Sequence, residues 1–348
     1  MSSKYEDELG LIVMDNCKEL GDKIDQNIMQ RRSKKDSFII PTNLVRFNNG
    51  EGKAVIEDSV RDKDLYIISD IGNHSMTYKM YGYINHMGPD EHFMDIKRVI
   101  SAVRGQADRV TVVMPLLYES RQHRRKGRES LDCALALQEL QNLGVSTIVT
   151  FDVHDPNIQN AVPTSMSFEN FYPTNTILKE FIKNEEFDPE TVKFISPDTG
   201  AMDRAKYYAN MFQADVGMFH KRRDYSKIVD GKNPIVAHNY LGGNLEGETA
   251  IVVDDMIASG TSMLEVAVDL KKRGARKVFL ISTFSMFTNG LECFNKAFEE
   301  GLFEKLYSTN LTYVDKDALT KPWYEQIDCS NYASDIINTL NTSGSISE

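Results

Sequence analysis

Two adjacent carboxylates and a group of small polar residues follow a β-branched segment in the second half of the chain. Residues 249–253 lead into Asp254 and Asp255. The loop that comes next contains Ser259, Gly260, Thr261 and Ser262. Free N–H groups at the start of a helix, hydroxyl donors and a glycine that permits close approach together bind phosphate. Since paired acids suit sugar hydroxyls or a magnesium ion, the residues predict a site for a phosphorylated ribose.

A simpler interpretation of this segment is purely structural. Val-Val-Asp-Asp is common at strand ends in parallel α/β sheets, and a Ser or Thr after a strand often serves only as a helix N-cap. Here both acids, the loop and an amphipathic stretch ending at Gly274 are contiguous. Because this pattern is more demanding than a single glycine motif, it favours the phosphate site.

Two basic segments also follow predicted strands. Residues 118–129 contain five Arg or Lys among twelve residues, and residues 220–223, His-Lys-Arg-Arg, are predicted to form a second basic loop. Open α/β sheets bind ligands at the carboxyl ends of their strands, although most charge runs are solvated surface. Because the whole chain is acidic, we expect a cluster of arginines to bind a polyphosphate.

Three polar residues, Asp152, His154 and Asp155, end another predicted strand. Alternation along a strand would place Asp152 and His154 on one face if the strand extends that far. A lone histidine is more often a hydrogen-bonded structural residue than a ligand. A structural role and a ligand-binding role therefore both stay open for this group.

Length and composition are those of a globular protein with two domains. The chain has 348 residues, of which 41% are hydrophobic and 26% charged. Its net charge of −11 argues against a nucleic-acid partner, because phosphate backbones select basic faces. The four cysteines are far apart and lack metal-binding spacing. With no predicted leader and no apolar stretch near 18 residues, we expect a cytoplasmic protein without a membrane partner.

Strands and helices alternate along both halves of the chain. Predicted strands cover residues 9–14, 38–41, 43–47, 53–58, 64–70, 109–117, 146–152, 193–196, 215–219, a segment near 235, 249–253, 277–284 and 306–314. Predicted helices cover residues 18–31, 90–104, 130–143, a segment from 174, 202–212, a segment ending at 274, and 331–340. This order predicts an α/β fold of two similar lobes, each a mainly parallel sheet flanked by helices. The loop-like residues 163–173 mark the boundary between lobes of residues 1–168 and 169–348.

Several motifs occur together in an order that resembles one enzyme family. The P-loop kinase sequence GxxxxGK[ST] is absent. The motifs of the first half are Arg46–Glu51, Val60-Arg61, Tyr118 with Arg121-Gln122, and Asp152–His154 with Ile158-Gln159. Those of the second half are Ser196–Asp198, His220–Arg223, Val253–Ile257 with Ser259–Thr261, and Thr309-Asn310. Over nearly the whole chain, this set resembles the ribose-phosphate pyrophosphokinases, or PRPP synthetases.

The resemblance implies two phosphoribosyltransferase-like lobes, Mg²⁺ as cofactor, and transfer of the β,γ-diphosphoryl group of ATP to the 1-hydroxyl of ribose 5-phosphate, giving PRPP and AMP. By position, the ATP-binding residues are Phe47, Asn49, Glu51, Arg121, Gln122 and His154. The metal ligands are His154 and Asp198, and the catalytic residues that stabilise the transferred group are Lys221 and Arg223. The ribose 5-phosphate residues are Asp254, Asp255, Ser259, Gly260, Thr261 and Ser262.

The resemblance also implies self-association. It predicts a homodimer that assembles to a homohexamer, with an ATP site shared between subunits. It leaves open whether the final helix packs back on the first lobe.

Several features depart from the family pattern, among them Ser259 and Ser262 where Thr is usual. Ala258 stands where an Asp is common, His123 stands where an Asp follows Arg-Gln, and residues 78–91 look like an insertion. A catalytically silent regulatory subunit and a PRPP-consuming phosphoribosyltransferase therefore remain as alternatives. An active diphosphokinase is favoured over a silent subunit because six residues are retained: Lys221, Arg223, His154, Asp198, Asp254 and Asp255. The adenine-type residues and the second lobe argue against a phosphoribosyltransferase.

Overall fold

The computed structural model describes residues 5, 8–125, 127–223 and 235–346. The chain divides into two compact units. The first unit runs to Pro173 and also includes residues 310–313 and the segment from Asp328 onward. The second unit contains Thr174–Thr309 and Val314–Ile327. None of the described helices combines the length and the apolar character that spanning a bilayer requires.

A five-stranded parallel sheet forms the centre of the first unit. In spatial order its strands, numbered along the chain, are β1 (Leu9–Val13), β4 (Asp64–Ile68), β7 (Arg109–Val113), β8 (Thr147–Phe151) and β9 (Ser167–Phe171). Its described helices are α1 (Lys18–Arg31), α2 (Pro89–Val103), α3 (Asp132–Asn142) and α8 (Ser330–Asn341), and α8 packs on α1. Two antiparallel hairpins complete the unit: β2 (Thr42–Arg46) with β3 (Gly52–Ile56), and β5 (Thr77–Met80) with β6 (Tyr83–His86).

Hydrophobic patterning accounts for these elements. Every residue of β4 is buried, as expected for a parallel strand covered on both faces. Leu20, Ile24 and Ile28 recur at four-residue intervals in α1, which places them on one buried face.

A seven-stranded sheet forms the second unit. In spatial order its strands are β12 (Ile235–Leu241), β11 (Asp215–Arg223), β10 (Val192–Ser196), β13 (Thr249–Ile257), β14 (Lys277–Ser285), β15 (Lys305–Thr309) and β16 (Tyr324–Ile327). All neighbours pair in parallel except β11 and β12. Its described helices are α4 (Thr174–Asn184), α5 (Met202–Phe212), α6 (Thr261–Lys272) and α7 (Glu292–Glu299). Trp323 and Phe294 stack within its core, with ring centroids 5.4 Å apart.

The predicted α/β fold of two mainly parallel, helix-flanked lobes is confirmed. Several local predictions are wrong. Residues 163–173 include β9, so this segment is not only a loop, and the late strand predicted over residues 306–314 ends at Thr309. Residues 38–41 make only a single parallel bridge, between Leu11 and Ile39. Pro163 and Pro173 flank β9, and flanking prolines are typical of loops. The segment is a strand because it pairs with β8.

The prediction of a second basic loop at residues 220–223 is also wrong. These residues belong to β11 and pair antiparallel with β12. A run of four basic residues has no alternation that would predict a strand, so the neighbouring strand decides its conformation.

Asp70 fastens residues 312–313 within the first unit. It is buried after β4, and its carboxylate accepts hydrogen bonds from Thr312 Oγ1 (2.9 Å), Tyr313 N–H (2.6 Å) and Gly72 N–H (2.9 Å). Burial outweighs these donors and raises the pKa of Asp70 to about 6. The returning segment is therefore held by a carboxyl group that keeps its proton in mildly acidic solution.

We expect the free energy of unfolding of the wild type, relative to Asp70→Asn, to fall as the pH rises from about 4 to about 6. A carboxyl group whose pKa is higher in the folded state stabilises that state at low pH, and this contribution is lost as the pH passes the folded-state pKa. The loss should be about 2–3 kcal/mol. Urea unfolding of both proteins at pH 4 and pH 7 measures it. Parallel pH dependence in the two proteins would contradict the assignment.

Candidate functional site

Strand β13 continues past the paired acids to Ile257. Asp255 is buried and Asp254 is half-buried. The backbone N–H of Asp255 donates to Asp254 Oδ1 (2.9 Å), so the two acids are adjacent and locally ordered. Burial, followed by the charge of Asp255, raises the pKa of Asp254 well above its usual range. A bound cation would therefore stabilise the ionised form of Asp254.

Arg204 and Asp198 adjoin this acid pair. Strand β10 lies next to β13, and the loop that follows β10 contains Asp198 and leads into α5, which contains Arg204. Arg204 Nη1 is 3.8 Å from Asp254 Oδ1, with 10% of its side chain exposed. Arg204 lowers the pKa of Asp254 and Asp198 raises it. The carboxyl ends of two adjacent strands thus bring three acids and one arginine together.

Asp198 also has a local structural role. Its Oδ1 accepts hydrogen bonds from the backbone N–H groups of Gly200 (2.8 Å) and Ala201 (3.2 Å). Such a turn fixes the entry into α5. Because the side chain is exposed, this local role is compatible with a metal contact.

The predicted phosphate loop joins β13 to α6. Gly260 is the N-cap of α6 with φ of +80°, and no side chain caps the first turn of this helix. A Cβ atom on Gly260 would lie 2.2 Å from Phe294 Cζ, so only glycine fits without a shift. Ser259 Oγ and Thr261 Oγ1 are 3.3 Å apart, and Thr261 and Ser262 are exposed. The loop therefore presents first-turn N–H groups and hydroxyls, as an anion site requires.

We expect Arg204→Gln to shift to higher pH the acidic limb of the pH profile of any activity that requires the Asp254 carboxylate. Removing the arginine charge raises the pKa of Asp254 further, so its carboxylate forms only at higher pH. Arg204→Lys keeps a positive charge and should move the limb less. Steady-state kinetics from pH 5 to pH 9 would test this, and a Gln profile that overlays the wild type would contradict it.

Three predicted ATP-binding residues lie in the first unit on the turn between β2 and β3. Phe47 is 47% exposed, and its N–H donates to Glu51 O (2.7 Å). Asn49 Nδ2 donates to Glu51 Oε2 (2.8 Å), and Glu51 N–H donates to Asn49 Oδ1 (3.2 Å). The turn therefore presents one aromatic ring and two polar side chains that fix each other.

Arg121, Gln122 and His154 are exposed in the first unit. Arg121 and Gln122 lie in a short 3₁₀ turn (Ser120–Gln122) after β7. The ring of His154 is 5.6 Å from that of His123. The structure thus brings the segment that follows Gln122 and the end of β8 into one neighbourhood.

The strand does not extend far enough to give Asp152 and His154 a common face. Strand β8 ends at Phe151, and Asp152 has φ of +40°, which breaks the alternation. Asp152 is buried, whereas His154 is exposed.

Lys221 and Arg223 lie in β11, opposite His238 and Ile235 of β12. Their side chains are outside the described part of the structure.

No group of three or more His, Cys, Asp or Glu side chains with metal-binding geometry occurs among the described residues. Magnesium commonly uses one or two carboxylates with water and substrate phosphates, so the acids after β10 and in β13 still fit it.

Sequence reasoning missed Arg204 and the pairing of His123 with Asp155. Arg204 lies on the same face as the buried N-cap residue Ala201 and the buried Tyr208 of α5. A charged residue at a position of this apolar face could have indicated its role. His123 Nε2 is 3.0 Å from Asp155 Oδ2, and its Nδ1 is 3.2 Å from Ser120 O. No local spacing signals that second arrangement, because the two segments meet only in the folded sheet.

A family model matches a large part of each of the two units. Residues 9–144 match the N-terminal domain of ribose phosphate pyrophosphokinase, and residues 174–287 match the phosphoribosyl transferase domain. The chain belongs to the ribose-phosphate pyrophosphokinase family. Family members align with it over most of their length. It is 26% identical over 304 residues to ribose-phosphate pyrophosphokinase A of Dictyostelium discoideum, and the alignment covers 87% of each chain.

Further comparisons agree with this membership. The chain is 28% identical over 307 residues to ribose-phosphate pyrophosphokinase 2 of Schizosaccharomyces pombe, again covering 87% of each chain. The crystal structure of phosphoribosylpyrophosphate synthetase from Mycobacterium smegmatis has the same fold, with a TM-score of 0.78 and 20% identity, over 97% of this chain and 100% of that one.

Within this pyrophosphokinase fold, the carbonyl of the divergent Ala258 accepts a hydrogen bond from Thr288 N–H (2.9 Å). The substitution thus lies in a loop whose backbone is fixed.

Proposed function

We propose that the chain is an active ribose-phosphate diphosphokinase, which transfers the β,γ-diphosphoryl group of ATP to the 1-hydroxyl of ribose 5-phosphate and forms PRPP and AMP. One observation carries the proposal. The paired acids of β13 lead directly into a glycine-capped helix start without a side-chain cap, in a chain of the pyrophosphokinase family. This arrangement suits the hydroxyls and the 5-phosphate of one ribose phosphate.

The residues act on different parts of the two substrates. Asp254 and Asp255 bind the ribose hydroxyls or their metal, and the loop of Ser259, Gly260, Thr261 and Ser262 binds the 5-phosphate. Phe47, Asn49, Glu51, Arg121, Gln122 and His154 bind ATP. Lys221 and Arg223 stabilise the charge that develops on the transferred group, as donors that are worth most in a closed site.

Magnesium is the proposed cofactor. When bound, it neutralises phosphate charge and so favours attack on the β-phosphorus of ATP. His154 and Asp198 are each proposed to lie at a Mg²⁺ site, and the acids of β13 bind the ribose hydroxyls or their metal. The half-buried Asp254 and exposed Asp198 offer carboxylate oxygens, which is the donor chemistry that magnesium prefers.

Incubation of the purified chain with ATP, Mg²⁺ and ribose 5-phosphate tests the proposal. AMP and PRPP should form together in equal amounts. Absence of AMP across a range of phosphate and Mg²⁺ concentrations would overturn it.

The second candidate function is a catalytically silent subunit that regulates an active pyrophosphokinase. Ala258 and His123 favour it, because each replaces an acid that is common in the family. Such a chain would make no AMP alone but would alter the activity of an active relative on mixing. A PRPP-consuming phosphoribosyltransferase would instead release pyrophosphate from PRPP and a base.

We also propose that the chain self-associates into dimers that form a hexamer. Light scattering with and without phosphate would test this, and a monomer under both conditions would contradict it.

A further inference from the structure

The segment that looks like an insertion folds into the hairpin of β5 and β6. Met80 and Tyr83 pair at its tip, and the two residues between them, Tyr81 and Gly82, have φ of +50° and +84°. Positive φ at both central residues defines the tight turn that matches strand twist. We call residues 77–86 the inserted hairpin and residues 47–51 the nucleotide turn.

The nucleotide turn is closed by its own hydrogen bonds, but its position depends on the hairpin that carries it. It connects β2 and β3, which form a separate two-stranded sheet. An isolated two-stranded hairpin is marginally stable in water and depends on packing against other elements. The position of Phe47, Asn49 and Glu51 therefore depends on what the turn contacts.

The inserted hairpin contacts the nucleotide turn directly. The backbone N–H of Tyr81 donates to the carbonyl of Asn48 (3.0 Å). Met80 Sδ lies against Gly50, where an added Cβ would be 2.7 Å from the sulfur. Gly50 itself has φ of +91°, so glycine serves both the turn and this close approach.

A third contact holds the strand that leads into the turn. Arg46 Cζ lies 5.1 Å from the ring centroid of Tyr78, and Arg46 Nη2 pairs with the buried Asp95 of α2 (2.6 Å). The side chain of Arg46 is 13% exposed, so both contacts are shielded from water. Arg46 is thus fixed between the inserted hairpin and α2.

We propose that the inserted hairpin is a positioning element for adenine-nucleotide binding, with Tyr78 and Met80 as positioning residues that act through the nucleotide turn. The inference rests on the proposed function, because it assigns adenine contacts to Phe47, Asn49 and Glu51. By fixing the turn before the nucleotide arrives, the hairpin lowers the ordering cost of binding.

Point variants of the full chain test this without removing the hairpin. Tyr78→Leu keeps an apolar side chain but removes the ring beneath Arg46, and Met80→Ala removes the sulfur from Gly50. We expect each to weaken binding of a non-hydrolysable ATP analogue with Mg²⁺ by about fivefold in calorimetry. KM for ATP should rise to a similar extent, while kcat at saturating ATP and KM for ribose 5-phosphate stay unchanged.

Tyr83→Ala is the matched control. Tyr83 lies on the same hairpin, is 75% exposed, and has no contact with the nucleotide turn among those described. Its nucleotide affinity should stay within twofold of the wild type. Replacement of residues 77–86 by a short Gly-Ser linker removes all three contacts and should weaken binding by about tenfold or more.

Unchanged nucleotide affinity in both point variants, or a wild-type chain that binds no adenine nucleotide, would overturn the inference. An equal rise in KM for ribose 5-phosphate would also overturn it, because that result indicates a general structural defect. Calorimetry measures binding without turnover. A wild-type chain that binds the nucleotide but makes no PRPP would therefore refute the proposed function and leave this inference intact.

Discussion

Lys221→Ala is expected to lower kcat by about 10²–10³-fold while the dissociation constants of ATP and ribose 5-phosphate change little. The proposal places the lysine charge where negative charge develops during transfer of the diphosphoryl group. An interaction made mainly in the transition state affects kcat and kcat/KM equally when it is removed. Steady-state kinetics with both substrates, together with calorimetry of each, measure the two effects separately.

Two further variants sharpen this test. Lys221→Arg keeps the charge but changes its shape and reach, so partial activity is expected. Lys206→Ala removes an exposed lysine of the same unit, paired with Asp203 at 3.2 Å, and should leave kcat unchanged. A loss in Lys221→Ala confined to substrate affinity would show that Lys221 does not act on the transition state.

Gly260→Ala is expected to raise KM for ribose 5-phosphate by tenfold or more, with a smaller effect on KM for ATP. The new Cβ meets Phe294 at 2.2 Å in a backbone conformation with φ of +80°. The loop must therefore move, and its N–H groups no longer converge on one phosphate. A tenfold loss corresponds to about 1.4 kcal/mol, which is within the usual cost of left-handed strain plus overpacking.

A matched glycine separates the clash from backbone strain. Gly247 also has positive φ (+78°), but a Cβ there would meet no atom within 4 Å. Gly247→Ala should reduce stability without changing KM for ribose 5-phosphate. Phe294→Leu combined with Gly260→Ala should restore part of the affinity. Equal KM effects from the two glycine variants would refute a specific role for Gly260.

The structure changes how the acid pair is understood. The sequence suggested two acids at the end of a strand, whereas β13 extends beyond them to Ile257. Burial and the neighbouring Asp255 raise the pKa of Asp254, and Arg204 partly offsets that rise. The acids are therefore better described as an interacting pair beside a cation than as two independent carboxylates.

The sequence by itself determined the elements with strong local signals. The apolar runs predicted the buried strands, and the 3.6-residue period predicted α1 and α5 with the bounds that the structure has. The loop after β13 was recognisable because its acids, hydroxyl residues and glycine are contiguous. The turn between β2 and β3 contains Asn49-Gly50, a dipeptide whose local dihedral preference specifies such turns.

Only the tertiary structure decided features that depend on distant partners. Strand β9 forms because β8 offers an edge, and the basic segment of β11 is extended because it pairs with β12. Arg204 meets Asp254 because adjacent parallel strands bring their following segments together. Contact between the inserted hairpin and the nucleotide turn joins residues about thirty positions apart. Periodicity and turn chemistry act over a few residues, so they specify the elements but not which elements meet.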